Sequence, residues 1–198
     1  MVGLRGAWVT VVIVLLVGVL TGCNDDPEPK IADPTDTPST AVTSPSTTPS
    51  TPTPTPTGPV EPPMPAAAGE NSDAGAEAFV GYYIDVFNFS ESTGDTALLE
   101  TLATDHCTAC AGYVDAIRRT YDGGGRIEGG QLILGELRDL PAAFDADKGI
   151  YALGRSTKQK IFDASGQVVD SNPSSTFRLF AYPKWVDGVW RMHWMRTP

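Results

Sequence analysis

Residues 73–198 predict an α+β fold, with three N-terminal helices packed on one face of a four-stranded antiparallel sheet. Three observations predict it. Apolar side chains recur at helical spacing from Phe79 to Tyr121. After Gly123-Gly124-Gly125 the pattern changes to short runs that read as strands. Asp187-Gly188, between Val186 and Val189, is a two-residue hairpin signal. Helices first and antiparallel strands afterwards define the α+β class.

The elements begin with a leader. Arg5 precedes an apolar run, Val9 to Leu20, whose one polar side chain is Thr10. That run is far shorter than the roughly 20 residues a membrane span needs and has the length of a signal-peptide core. Leu20-Thr21-Gly22-Cys23 resembles the lipobox of bacterial lipoproteins. The resemblance implies that residues 1–22 are a signal peptide and that Cys23 becomes the acylated first residue, palmitate being one of its chains. Localisation would then be the extracytoplasmic face of the cell membrane, in the cell envelope. Burying each acyl methylene contributes about 0.8 kcal/mol, so two or three chains anchor firmly.

Residues 23–72 read as a disordered Pro/Thr/Ser-rich stalk. Ser44 to Thr57 is low in complexity and lacks large apolar side chains, so it buries too little surface to offset the entropy of ordering. Its prolines favour extended polyproline II. At about 3.1 Å per residue, forty residues reach on the order of 120 Å from a membrane. The Thr/Pro density also suits O-glycosylation.

The helices follow. Asp73 or Ser72 can cap a segment in which Phe79, Tyr82, Tyr83 and Val86 share a stripe that Val80, Ile84 and Phe87 widen. Gly94-Asp95 starts a short helix carrying Leu98, Leu99 and Leu102. A third helix runs from about Thr108 to Tyr121 and stops at Asp122-Gly-Gly-Gly125. Strands are expected over Arg126–Leu140, Ile150–Asp163, Ser175–Trp185 and Val189–Arg196. Extending the hairpin from its turn pairs Trp185 with Trp190, Pro183 with Met192 and Ala181 with Trp194 on an apolar face that Leu179 and Phe177 continue. Lys184 with Arg191, Tyr182 with His193 and Phe180 with Met195 fall on a mixed outer face.

Three helices followed by a strongly bent antiparallel sheet is similar to the nuclear-transport-factor-2-like (cystatin-like cone) fold. Met64-Pro-Ala-Ala-Ala, Ala76-Glu-Ala-Phe-Val-Gly-Tyr-Tyr, Thr93-Gly-Asp95 and Cys107-Thr-Ala-Cys110 resemble a family of actinobacterial surface lipoproteins of unknown function. Membership implies an envelope lipoprotein and brings no activity with it.

The chain carries 24 acidic and 14 basic side chains, a net charge of −10. That balance argues against nucleic acid as a partner, which needs a basic patch. Cys107 and Cys110 form an even pair once Cys23 is acylated, so a disulfide bond is expected in an oxidising compartment. The competing use is thiol–disulfide exchange, since the dipole of the third helix would favour a thiolate at its start. Zinc lacks a second Cys/His pair at ligand spacing, and no cofactor or metal is expected.

The presumed pocket is lined by Tyr82, Tyr83, Trp185, Trp190 and Trp194. Some families with the cone fold place an acid or histidine among such aromatics, which would make an isomerase- or dehydratase-like enzyme. The sequence offers no catalytic pair: Asp85 is expected to face solvent, and His193 lies on the outer face. The favoured expectation is a non-catalytic binding module on a stalk, taking an envelope protein or a small apolar ligand. Phe180, Tyr182, Arg191 and His193 form the candidate partner face, and a homodimer is one version of that contact.

Overall fold

The computed structural model describes residues 58–197. The signal segment, Cys23 and most of the stalk lie outside them. A 3-10 helix, Ala66–Gly69, leads into α1 (Asp73–Thr93), α2 (Ala97–Thr101) and α3 (Thr108–Asp122). Seven strands follow: β1 (Arg126–Gly129), β2 (Leu132–Leu140), β3 (Gly149–Ser156), β4 (Gln159–Phe162), β5 (Val168–Asn172), β6 (Ser175–Val186) and β7 (Val189–Arg196).

Ser72 caps α1 by accepting a hydrogen bond from the Gly75 amide at 3.0 Å, satisfying one of its free donors. Gly94, at φ 81°, closes the helix in the left-handed conformation. Phe79, Val80, Tyr83, Ile84 and Val86 are almost completely buried, as the dense apolar pattern of α1 requires. Fully burying an aliphatic or aromatic side chain contributes about 1.5–3 kcal/mol, so this helix is the spine of the core. Residues 58–72, assigned to the tail on composition, run beside the domain. Residues 59–63 share a groove with Asp85, Asn88 and Phe89, and the Glu70 carbonyl accepts a hydrogen bond from Trp190 Nε1 at 2.8 Å.

The sheet differs from the expected one. Instead of three helices on a single four-stranded sheet there are two antiparallel sheets, one of three strands (β1-β4-β5) and one of four (β2-β3-β6-β7). The reason lies in the connections. The expected strand Arg126–Leu140 breaks into β1 and β2 at Gly129 and Gly130, which sit at φ 72° and 81°. A Cβ on Gly129 would lie 2.0 Å from the Lys158 carbonyl oxygen. The expected strand Ile150–Asp163 breaks into β3 and β4 beside that same point, at Thr157-Lys158. β5 is an additional strand that the pattern does not predict. Its residues are all exposed, so no burial period marks it, and it forms because Asp163 Oδ1 accepts from the amides of Ser165 and Gln167, turning the chain back onto β4. α1 packs against β1 of the small sheet and against β2, β6 and β7 of the large one.

The hairpin is also modified. Trp185 faces Trp190 and Pro183 faces Met192, as the turn predicts, and Asp187 and Gly188 both have positive φ. A bulge between Tyr182 and Pro183 then shifts the register, so Tyr182 pairs with Trp194, Ala181 with Met195 and Phe180 with Arg196. Pro183 has no N–H to give to the ladder, which is why a bulge belongs there. The Met192 backbone is engaged on its other side, donating to Leu102 O at 2.7 Å and accepting from Thr104 N at 2.9 Å. The shift exchanges two side chains: Met195 turns into the core, and Trp194 turns out beside Tyr182.

Candidate functional site

The five aromatic residues expected to line one pocket do not meet around one. Tyr82 and Tyr83 are buried in α1, and burial pushes the Tyr83 hydroxyl, which has no hydrogen-bond partner among the described residues, well above its ordinary pKa. Trp185 and Trp190 pack edge to face at 5.1 Å. Trp194 lies on the opposite side of the sheet, stacked on Phe144 at 4.3 Å.

The expected partner face is likewise rearranged. Tyr182 and Trp194 do form an aromatic cluster with Phe144, and Phe180 packs on Tyr151. Phe144 stands half exposed at φ 57°, a conformation bulky residues rarely adopt. Arg191 instead donates to the Thr101 carbonyl at the end of α2, at 2.6 Å. His193 is buried, its Nδ1 2.9 Å from Thr104 Oγ1 and its ring stacked on His106 at 5.0 Å. Burial first, then the Lys184 and His106 charges, lower its pKa.

Cys107 and Cys110 are bonded to each other and buried at the start of α3. Two buried sulfurs are suited to a structural staple rather than to exchange, which needs access. Among the described residues no three metal-binding side chains come together, and no helix is long and apolar enough to cross a membrane.

What the structure does build is a cleft of about 230 Å³ at the seam between the two sheets. Ile84 and Phe87 of α1, Tyr113 of α3, Leu132, Phe177 and Met195 form its apolar walls. The strand breaks supply the polar lining: Ser156 and Thr157 where β3 becomes β4, and Asn172 and Ser175 where β5 becomes β6. Tyr113 Oη lies 2.6 Å from Thr197 Oγ1, and Ser156 Oγ lies 3.0 Å from Ser175 Oγ.

Glu91, in the last turn of α1, lines this cleft and an adjoining one. Its Oε1 accepts from Gln159 Nε2 at 3.0 Å, and Gln159 Oε1 accepts in turn from Asn172 Nδ2 at 3.0 Å. Gly130 makes room for that chain, because a Cβ there would lie 2.3 Å from Gln159 Nε2. The other carboxylate oxygen, Oε2, is buried with no partner among the described residues. Burial pushes the Glu91 pKa up to about 7, and the Gln159 hydrogen bond only partly opposes it. Perturbed carboxyls in clefts with convergent polar groups are enriched at functional sites, which makes Glu91 the candidate here.

Sequence reasoning does not single out Glu91. The signal is present: Phe79, Tyr83, Phe87 and Glu91 form an i, i+4 series, so Glu91 prolongs the buried stripe by one turn. Asp85, the acid weighed on sequence, is exposed as expected.

The fold has distant likenesses among solved structures. The intermembrane space region of the chloroplast protein ARC6 shares 10% identity at a TM-score of 0.46, over 65% of this chain and 97% of that one. Aln2 from a Streptomyces species shares 14% identity at a TM-score of 0.39, over 65% and 93%. The Kfla4162 protein from Kribbella flavida shares 13% at 0.39, over 60% and 84%. Likenesses this distant carry no functional argument. No curated protein matches the chain. A family model does match residues 46–196, a span that takes in every element described and all of the Glu91 cleft's lining but Thr197: the chain belongs to DUF6318, a family of unknown function.

Proposed function

We propose that this is a lipid-anchored protein of the cell envelope whose domain is a non-catalytic binding module, with the Glu91 cleft as its small-ligand site. The observation that carries the binding reading is a largely apolar cleft in which Glu91 is the one charged lining residue among those described. At about 230 Å³ the cleft falls below the roughly 300–1,000 Å³ of drug-sized sites, so the ligand is small. The anchoring reading rests on Leu20-Thr21-Gly22-Cys23 and the short apolar run before it. The Pro/Thr-rich segment would hold the domain away from the membrane.

Binding is preferred to catalysis because, among the described residues, Glu91 has no second acid, base or nucleophile poised against it; its contact in the cleft is the neutral Gln159. A second reading, a protein partner on the Tyr182–Trp194 face, is favoured by Phe144, held half exposed at positive φ against both rings.

Native mass spectrometry of the mature protein, taken from its own envelope in mild detergent, tests both parts. The expected result is a lipid mass on Cys23 and a small stoichiometric adduct that Glu91→Gln loses. A protein complex dissolved by Tyr182→Glu would move the binding site to the outer face. A monomer carrying only its lipid would refute the small-ligand reading.

A further inference from the structure

The Glu91 cleft also indicates what kind of ligand fits it, an inference that rests on the small-ligand reading above. Among the described residues Glu91 is the only charged one lining the cleft, and its Oε2 has no donor. It stands in the final turn of α1, where the helix dipole places partial negative charge and attracts cations. No basic side chain occupies that turn. The groups facing Glu91 from other elements supply little compensation. Tyr113 and Tyr121 of α3 are neutral phenols, and Tyr121 Oη donates to the Glu91 backbone carbonyl at 2.7 Å rather than to the carboxylate. Gln159 and Asn172 are neutral amides. Arg119 of α3 is exposed and lines the adjoining cleft, not this one.

Two aromatic rings, Phe87 and Tyr113, packed edge to face at 5.4 Å, form part of the wall. Aromatic faces hold an apolar body and also attract a cation. The site therefore has an acceptor without a donor, a negative potential without a counter-charge, and apolar walls. We propose that the Glu91 cleft binds a small primary amine, its ammonium pairing with the Glu91 carboxylate and its apolar body lying against Phe87, Tyr113 and Phe177. An anionic ligand would meet the carboxylate head-on, and a neutral one would leave its charge uncompensated.

The test uses the full chain and three probes that share one aromatic body: phenethylamine, phenethyl alcohol and 3-phenylpropionate. Binding is followed calorimetrically and by amide NMR shifts at pH 8 and pH 6. The expected result is that the amine binds at least tenfold tighter than either control, with shifts centred on Gln159, Ser156 and Phe177. Its affinity should fall roughly tenfold from pH 8 to pH 6 as a carboxylate titrating near 7 takes up its proton. Glu91→Gln should remove the preference for the amine, so that the amine and the alcohol bind this variant alike.

If all three probes bind the cleft alike, or the alcohol binds best and more tightly at pH 6, the cleft is a ligand site but the amine assignment is overturned. If none shifts a cleft residue, the small-ligand reading falls with it. The pH and probe comparisons need no variant, so the proposal stays refutable even if Glu91→Gln folds poorly.

Discussion

Glu91 couples the stability of the domain to pH. The folded state keeps the proton on this carboxyl up to about pH 7, whereas its ordinary value is 4.5. Between those values folding takes up a proton, so stability from this group is intact below about pH 4.5 and is lost as pH rises through 7. A shift of that size corresponds to roughly 3 kcal/mol. Glu91→Gln should therefore raise the unfolding free energy by up to about that amount at pH 8 and change little at pH 4, read by urea denaturation at both values. Equal effects at both pH values would mean that Glu91 is not held protonated. His193 works in the opposite sense: its lowered pKa costs stability as pH falls through 6.5 and below. These environments are only partly legible from the sequence. The i, i+4 stripe that buries Phe79, Tyr83 and Phe87 points to Glu91, but its orphaned oxygen depends on Gln159, which arrives from a strand 68 residues later. The burial of His193 depends on a bulge that alternation along a strand cannot show.

At the scale of elements, the three α-helices are legible from their apolar spacing and, for α1 and the end of α3, from local start and stop signals. Ser72, Gly94 and Gly123–Gly125 bound them in sequence as they do in space. The strand breaks are not, although the glycines that make one of them are visible, since a Gly-Gly pair inside a strand pattern reads equally as a bulge or a bend. Gly129→Ala tests that break. It adds a Cβ at φ 72° against the Lys158 carbonyl, and should cost about 2 kcal/mol or more in urea unfolding. Asn88 ties α1 to the start of β2 beside the cleft, donating to Leu132 O at 2.9 Å and accepting from Leu132 N at 2.8 Å. Asn88→Ala leaves both backbone groups without these partners and should cost about 2 kcal/mol. A smaller effect in either variant would show that the seam is free to relax. The Asp187-Gly188 turn forms as its residues predict, and the register that follows from it holds as far as Pro183. Beyond it every pairing shifts by one residue, which moves Trp194 from the expected pocket to the outer face.

For the whole molecule, the buried Cys107–Cys110 bond closes a very short loop, and the chain-entropy relation gives it about 2 kcal/mol. Cys107→Ser with Cys110→Ser should lower stability by roughly that much, measured by thermal unfolding, while phenethylamine still binds. Lost binding in a folded double variant would instead tie the cysteines to the site. Cys23→Ala should release the protein from the membrane fraction without changing the unfolding transition of the domain, as expected if the anchor and the domain are independent. The proposed small-ligand cleft lies where the two sheets meet, with Glu91 as its one charged lining residue among those described. A crystal structure of the full chain grown with phenethylamine at pH 8 tests that claim most directly. It should show the amine nitrogen within hydrogen-bond distance of the Glu91 carboxylate, with the ring against Phe87 and Tyr113. An empty cleft, with the amine lying instead on the Tyr182–Trp194 face, would contradict it.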